Sequence, residues 1–173
     1  MKTLEKRMYF FVPYNISEIQ KGIQAGHAAL EYAYKYGDSF LFKDFIKNWK
    51  TWIILNGGTT NDSIEYVGSL NEIQVGLFEN EIDHTIFVEP DLNNALTAIC
   101  FICTEKVFNW KDYPNFIEWS KNSGSYKKYY SNDQDWVDLA WENNDLINKY
   151  LNDFEMTKKD FYLKKLIGNK RLA

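Results

Sequence analysis

The sequence predicts an α/β fold whose sheet is at least partly parallel and carries helices on both faces. Apolar and aromatic runs of strand length alternate with segments of helical period over about the first hundred residues. Each run is closed by turn or capping residues. The resulting order, strand, helix, strand, helix, strand, requires crossover connections, which pair strands in parallel and lay helices over the sheet. At 173 residues with 45% hydrophobic residues, the chain is long enough for one well-buried domain with some added structure.

The first strand is "RMYFFVPY", residues 7–14, ended by Asn15 and Ser17. Ser17 followed by Gln20 fits a capping box, so a helix starts at about Glu18 and stops near Gly37. "FLFKDFIKNW" reads as a short second helix, and "TWIILNGG" as a strand closed by Gly57 and Gly58. Ser69 is placed to cap a third helix, "LNEIQVGLFEN", whose apolar stripe is Leu70, Ile73, Leu77 and Phe78. "HTIFVE" is a third strand, "EPDLNN" a polar turn and "ALTAICFIC" a fourth strand. After Cys103 strand alternation stops and Trp, Tyr and Phe crowd among acids and asparagines. Residues 133–154 place Trp136, Leu139, Ala140, Leu146, Tyr150 and Leu151 at helical spacings. The tail from Met156 is basic and reads as a solvated terminal helix. Residues 1–104 therefore form the α/β domain, and residues 105–173 an aromatic-rich helical extension packed on it, which either adds a layer, walls a pocket or forms a homodimer contact.

A net charge of −4 gives no broad positive field for duplex nucleic acid. Cys100 and Cys103 fall on opposite faces of a strand, which argues against a disulfide and fits a reduced cytoplasm. No further His or Cys completes a zinc set, so neither a metal nor another cofactor is expected. The N-terminus lacks a long apolar segment and no run reaches membrane-spanning length, so the expectation is a cytoplasmic protein without membrane contact. An Asn-, Lys- and Tyr-heavy composition suits an AT-rich genome, as in many phages, in which case the compartment is the host cytoplasm.

Two polar clusters stand out. At about 100° per residue, Ile19, Ile23, Gly26, Leu30 and Ala33 make one narrow arc, the stripe expected to face the core. Gln20, Gln24, His27 and Glu31 make a second arc about 110° away, at the border of the buried face. The other cluster, Glu89, Asp91, Asn93 and Asn94, directly follows a buried strand. In open α/β sheets ligands bind beyond the carboxyl ends of the strands. If the first and third strands run the same way, both clusters face one cleft. His27 then serves as a base oriented by Glu89, with the Gln24 and Asn93 amides or the free N–H groups at the helix start holding an oxyanion or phosphate. His84 reads as a surface or strand-edge residue.

"QAGHAALEYA" resembles the Gln-x-x-His-Ala signature on the first helix of the type II peptidyl-tRNA hydrolases. That family's second signature, Asp-Ala-Gly-x-Thr-Gln followed by a Thr-bearing last strand, is similar in position to Glu89, Pro90, Asp91, Leu92, Asn93 and Asn94 and then Thr97. The resemblance spans residues 7–103. It implies a mixed four-stranded sheet between helices, an ester hydrolase acting on the tRNA terminus, catalytic roles for Gln24, His27 and Glu89, and ligand contacts from Gln20, Lys21, Asp91, Asn93, Asn94 and Thr97. The family's Gly-Lys pair, four to five residues before the glutamine, is replaced by Ile19 and Gln20, while Lys21 lies one step on, expected to be rotated toward solvent. Two further functions fit the same residues: a cleft retuned to bind, sequester or cleave a small or cyclic nucleotide immune signal, and a non-catalytic interaction protein using the aromatic extension.

Overall fold

Along Lys6–Pro13 (β1), Met8, Phe10 and Val12 alternate with Tyr9 and Phe11, so the strand is apolar on both sides and suits only the middle of a sheet. The computed structural model, which describes residues 3–60, 68–122, 133–168 and 170–173, places it there. Thr51–Gly58 (β2), His84–Glu89 (β3) and Ala95–Thr104 (β4) complete one mixed four-stranded sheet in the order β2-β1-β4-β3. β1 pairs with β2 in parallel (Phe10 beside Ile54) and with β4 antiparallel (Phe10 beside Cys100), and β3 pairs antiparallel with β4 (Ile86 beside Ile99). β1 and β3 therefore run the same way. All four expected strands belong to this one sheet.

Glu18–Tyr36 (α1) starts at the expected capping box: Gln20 N–H donates to Ser17 Oγ at 3.3 Å and Ser17 N–H to Gln20 Oε1 at 3.1 Å. Phe40–Asn48 (α2) is capped by Ser39. Both lie over the sheet face formed by Met8, Phe10, Val12, Ala98, Cys100 and Ile102, to which they contribute Ala25, Ala28, Tyr32, Phe42 and Phe45. Ser69–Glu79 (α3) covers the opposite face. A side chain at Gly57 would sit 2.5 Å from Leu70 Cδ1 and 3.2 Å from Phe11 Cβ, so the glycine is what lets α3 come down onto the strands. Cys100 and Cys103 are buried free thiols, and burial pushes the Cys100 thiol's pKa up.

Two expectations about helix faces and one about a helix cap are corrected. Ile19, Ile23 and Leu30 are 77%, 51% and 69% exposed, and α1 instead buries Lys21, Gln24, Ala25, Ala28 and Tyr32. Small side chains at Ala25 and Ala28 allow a close approach to the sheet. The approach is locked by polar ties, among them Thr85 Oγ donating to the Ala28 carbonyl at 3.0 Å. Hydrophobicity alone ranked the bulkier isoleucines first. Phe78 is exposed, unlike its stripe partners Leu70, Ile73 and Leu77. Ser69 is the first residue of α3 after Gly68, its hydroxyl donating to the Gly57 carbonyl and accepting from Thr59 N–H rather than capping the helix.

The chain forms two compact units, Met1–Glu105 with Leu166–Ala173, and Lys106–Lys165. The second contains Phe116–Asn122 (α5), Asp133–Glu142 (α6) and Asn144–Asp153 (α7), after the single-turn Glu105–Phe108 (α4), and leads into Lys158–Gly168 (α8). Its core is aromatic. Phe116 packs edge-on against Tyr150 with ring centres 5.4 Å apart, and Tyr150 Oη donates to the Pro114 carbonyl at 2.6 Å. Ala140, Leu146 and Leu151 are buried as expected, Leu139 is 42% exposed, and the Trp136 side chain lies outside the described residues. The tail is not simply solvated: α8 buries Leu163, Lys164 and Ile167. Lys164 is accommodated because its ammonium donates to the Lys106 and Val107 carbonyls and lies 3.8 Å from the centre of the Trp110 ring. The last residues then flank β2, with Leu172 bridging to Leu55 and Ala173 N–H donating to the Ile54 carbonyl. Among the described residues no helix is long and apolar enough to cross a membrane.

One ion pair ties α2 to β1. The Lys6 ammonium meets the Asp44 carboxylate, which also accepts from Asn48 Nδ2 at 2.6 Å. The bond from Lys6, then that from Asn48, holds the Asp44 pKa below the ordinary carboxylate value. A depressed folded-state pKa stabilises above the unfolded value, about 4, and that contribution is lost as pH falls through the folded one. Asp44→Asn is therefore expected to lower stability at pH 7 and to narrow its difference from wild type below about pH 4. Urea melts at both pH values check this, and a difference that widens in acid contradicts it.

Candidate functional site

Because β1 and β3 run in the same direction and α1 returns antiparallel to both, the start of α1, the end of β3 and the start of β4 meet at one edge of the sheet. Gln24 sits on the buried face of α1, one turn past Lys21, and reaches Glu89 at the last position of β3: Gln24 Nε2 donates to Glu89 Oε2 at 2.8 Å. From β4, Thr97 Oγ donates to Gln24 Oε1 at 2.7 Å and also lies 3.3 Å from the Phe87 carbonyl. A carboxylate only accepts, so Glu89 fixes which end of the Gln24 amide faces it and leaves the carbonyl end for Thr97. Thr97 is 1% exposed, and the chain from hydroxyl to amide to carboxylate is anchored at its buried end. The second oxygen of the half-buried Glu89 makes no hydrogen bond among the described residues, which leaves it able to accept a proton from a water or hydroxyl group.

His27 lies on the same side of the sheet but not in this chain of bonds. Its ring stacks on Phe87, with centres 4.4 Å apart and planes inclined at 17°, and it remains exposed. Among the described residues it has no hydrogen bond, so the expected orientation of His27 by Glu89 is not what this arrangement contains. The antiparallel run of α1 over β3 explains the difference. Gln24 reaches the strand's end at Glu89, while His27, a turn further on, falls over Phe87.

Lys21 also departs from expectation. It is 8% exposed rather than turned to solvent, and its ammonium contacts the Glu18 carboxylate at 2.8 Å, while the Glu18 side chain itself is 79% exposed. The face of α1 that meets the sheet includes Lys21 because Gln24, Ala25 and Ala28 belong to it. A buried cation whose own partner stands in solvent can exchange that partner for another anion. Gln20 is exposed and its side chain is committed to the capping box. Asp91, Asn93 and Asn94 lie exposed on the 3₁₀ turn Pro90–Leu92 and just after it, with Asn93 and Asn94 at φ of 52° and 56°, a conformation asparagine tolerates better than most residues. Among the described residues none of the three is hydrogen-bonded to the Gln24 cluster.

No protein-family model and no curated protein matches the chain. The reading of the site therefore rests on these groups themselves: a carboxylate with a spare oxygen, an amide locked beside it, and a buried ammonium on the same helix face. Thr85, Phe87 and Glu18, which shape the site by fixing α1, supporting His27 and meeting Lys21, were not singled out from sequence. The sequence signal for Thr85 is a lone hydroxyl beside the apolar run of residues 86–88 in the third strand.

Proposed function

We propose that the protein is a divergent hydrolase of the type II peptidyl-tRNA hydrolase kind, cleaving an ester at a tRNA terminus or on a nucleotide. The observation that supports this is the Gln24–Glu89–Thr97 chain, because it joins three positions of two separate sequence signatures within hydrogen-bonding distance. The sheet order and the shared edge for both polar clusters agree with the same reading. In this mechanism the free oxygen of Glu89 takes a proton from water. The water oxygen bonds to the acyl carbon, the ester C–O bond breaks, and the proton passes to the departing nucleotide hydroxyl. Gln24 keeps the carboxylate oriented. Lys21 supplies positive charge to the developing oxyanion or a neighbouring phosphate, a part that the exposed, capped Gln20 does not play.

The test is incubation of the wild-type protein with peptidyl-tRNA, monitored for release of the peptide. Lys21→Met, which keeps the buried stem and removes the charge, is expected to lower kcat/KM by about 10²-fold with the fold intact by circular dichroism. No release by the wild type sinks the reading. The mild acidity of the chain, with pI about 5.3, favours a small ligand over a long polyanion and supports a second reading, a nucleotide-sequestering cleft. Its signature is stabilisation of about 2.7 kcal/mol at a hundredfold excess over Kd of a linear or cyclic nucleotide, with no product.

A further inference from the structure

β2 has its outer edge flanked by the chain's own last residues, but β3 forms the other edge of the sheet, and there a pocket of about 480 Å³ opens between α1 and α3. The size falls within the range of small-molecule sites, about 300–1,000 Å³. Two aromatic residues line it: Tyr34 from α1 is 91% exposed and Phe78 from α3 is 75% exposed, while their helices bury other residues, Tyr32 in α1 and Leu70, Ile73 and Leu77 in α3. Single exposed aromatics are common, but two that line one cavity, from helices on opposite faces of the sheet, each offer it a ring face on which a flat group can stack. The rest of the lining includes polar groups, Gln74 on α3 and His84 and Thr85 on β3, and two charges of α1, the Lys35 ammonium and the Glu31 carboxylate. His84 Nδ1 lies 2.7 Å from the Ile82 carbonyl and must donate to it, which leaves Nε2 for a ligand.

The pocket also continues the functional face of α1. Gln24, His27, Glu31, Tyr34 and Lys35 fall on one side of the helix, and at 1.5 Å per residue Tyr34 lies about 10 Å along the axis from His27. A ligand reaching from Glu89 along this face meets first the His27–Phe87 stack and then the Tyr34–Phe78 pocket.

We propose that this pocket binds a nucleobase, stacked on Tyr34 and Phe78, with its edge read by Gln74 and His84 and its phosphate directed to Lys35. Stacking suits any base, and the amide and imidazole supply the donor and acceptor that an aliphatic or purely anionic ligand does not need. The choice of a nucleotide rests on the ester-hydrolase reading above; the pocket itself does not. The shared chemistry is a base with a phosphate, whether from a free nucleotide or from an RNA end.

Isothermal titration with adenosine 5′-monophosphate, ribose 5-phosphate and deacylated tRNA tests the proposal. The monophosphate or the tRNA is expected to bind at least tenfold more tightly than ribose 5-phosphate. Tyr34→Ala and Phe78→Ala are each expected to weaken that binding about 5- to 100-fold, with Tyr34→Phe and Phe78→Tyr close to wild type. Binding of the monophosphate assigns the site to free nucleotides, and binding of tRNA alone assigns it to an RNA end. Equal affinity for ribose 5-phosphate, unchanged affinity in both alanine variants, or no binding of any of the three overturns it. Because the readout is equilibrium binding, a protein that binds the monophosphate through Tyr34 but never cleaves peptidyl-tRNA removes only the hydrolase reading. One that cleaves it equally well with Tyr34→Ala and Phe78→Ala and binds none of the three ligands removes only the pocket.

Discussion

Glu89→Gln is expected to lower turnover of an ester substrate by about 10²- to 10⁴-fold while KM and the melting temperature stay near their wild-type values. Glutamine preserves the length of the side chain and retains an oxygen able to accept from Gln24 Nε2, so the bond now 2.8 Å long survives and Thr97 keeps its partner. What disappears is the charge and basicity of the free oxygen. A group that moves a proton only in the transition state shows its loss in kcat, whereas one that holds the substrate shows it in KM. Steady-state kinetics on peptidyl-tRNA separates the two. His27→Ala belongs in the same experiment, since that ring is exposed and only stacked on Phe87. If Glu89→Gln turns over normally and His27→Ala does not, the base is His27 and the mechanism above is wrong.

The strands and their shared sheet are legible because each is an apolar run bounded on at least one side by Gly, Asn or Pro, and β1 and β4 are apolar on both sides as central strands must be. The joint edge of Gln24 and Glu89 is legible from connectivity alone, given that β1 and β3 run the same way. The rotation of α1 is not. Ile19, Ile23 and Leu30 make the stronger apolar arc, yet helix orientation is decided by what the sheet can accept, and there Ala25 and Ala28 fit closely while Tyr32 fills the space beside Phe42. Burial of Lys21 is hidden for the same reason: helical period fixes its place relative to Gln24, but not which arc of α1 meets the sheet. The tail failed differently, since a bridge of the kind joining Leu172 to Leu55 depends on a strand more than a hundred residues away, about which local composition carries no information.

The largest stability effect is expected at Phe101, and Phe78 supplies its contrast. Phe101 is 0% exposed on the sheet face opposite α1, stacked on Tyr9 with ring centres 5.9 Å apart at 14° and tilted against Phe11 at the same separation. Removing its ring leaves a cavity bounded by two other aromatics and the backbone of a central strand, a place that has little freedom to collapse. Phe101→Ala is accordingly expected to cost about 3–5 kcal/mol, a large share of the total of about 5–15 kcal/mol typical of a folded chain. Phe78→Ala removes the same atoms from a side chain already 75% in solvent and is expected to change stability by no more than about 0.5 kcal/mol. Urea unfolding should be followed by a signal from each compact unit, because Phe101 belongs to the one and the aromatic cluster around Tyr150 to the other. A midpoint for Phe101→Ala close to that of Phe78→Ala would mean that α3 and its sheet face contribute little to the fold. The exposed Phe78 would then have no claim to be free for a ligand rather than merely unneeded by a loosely held helix.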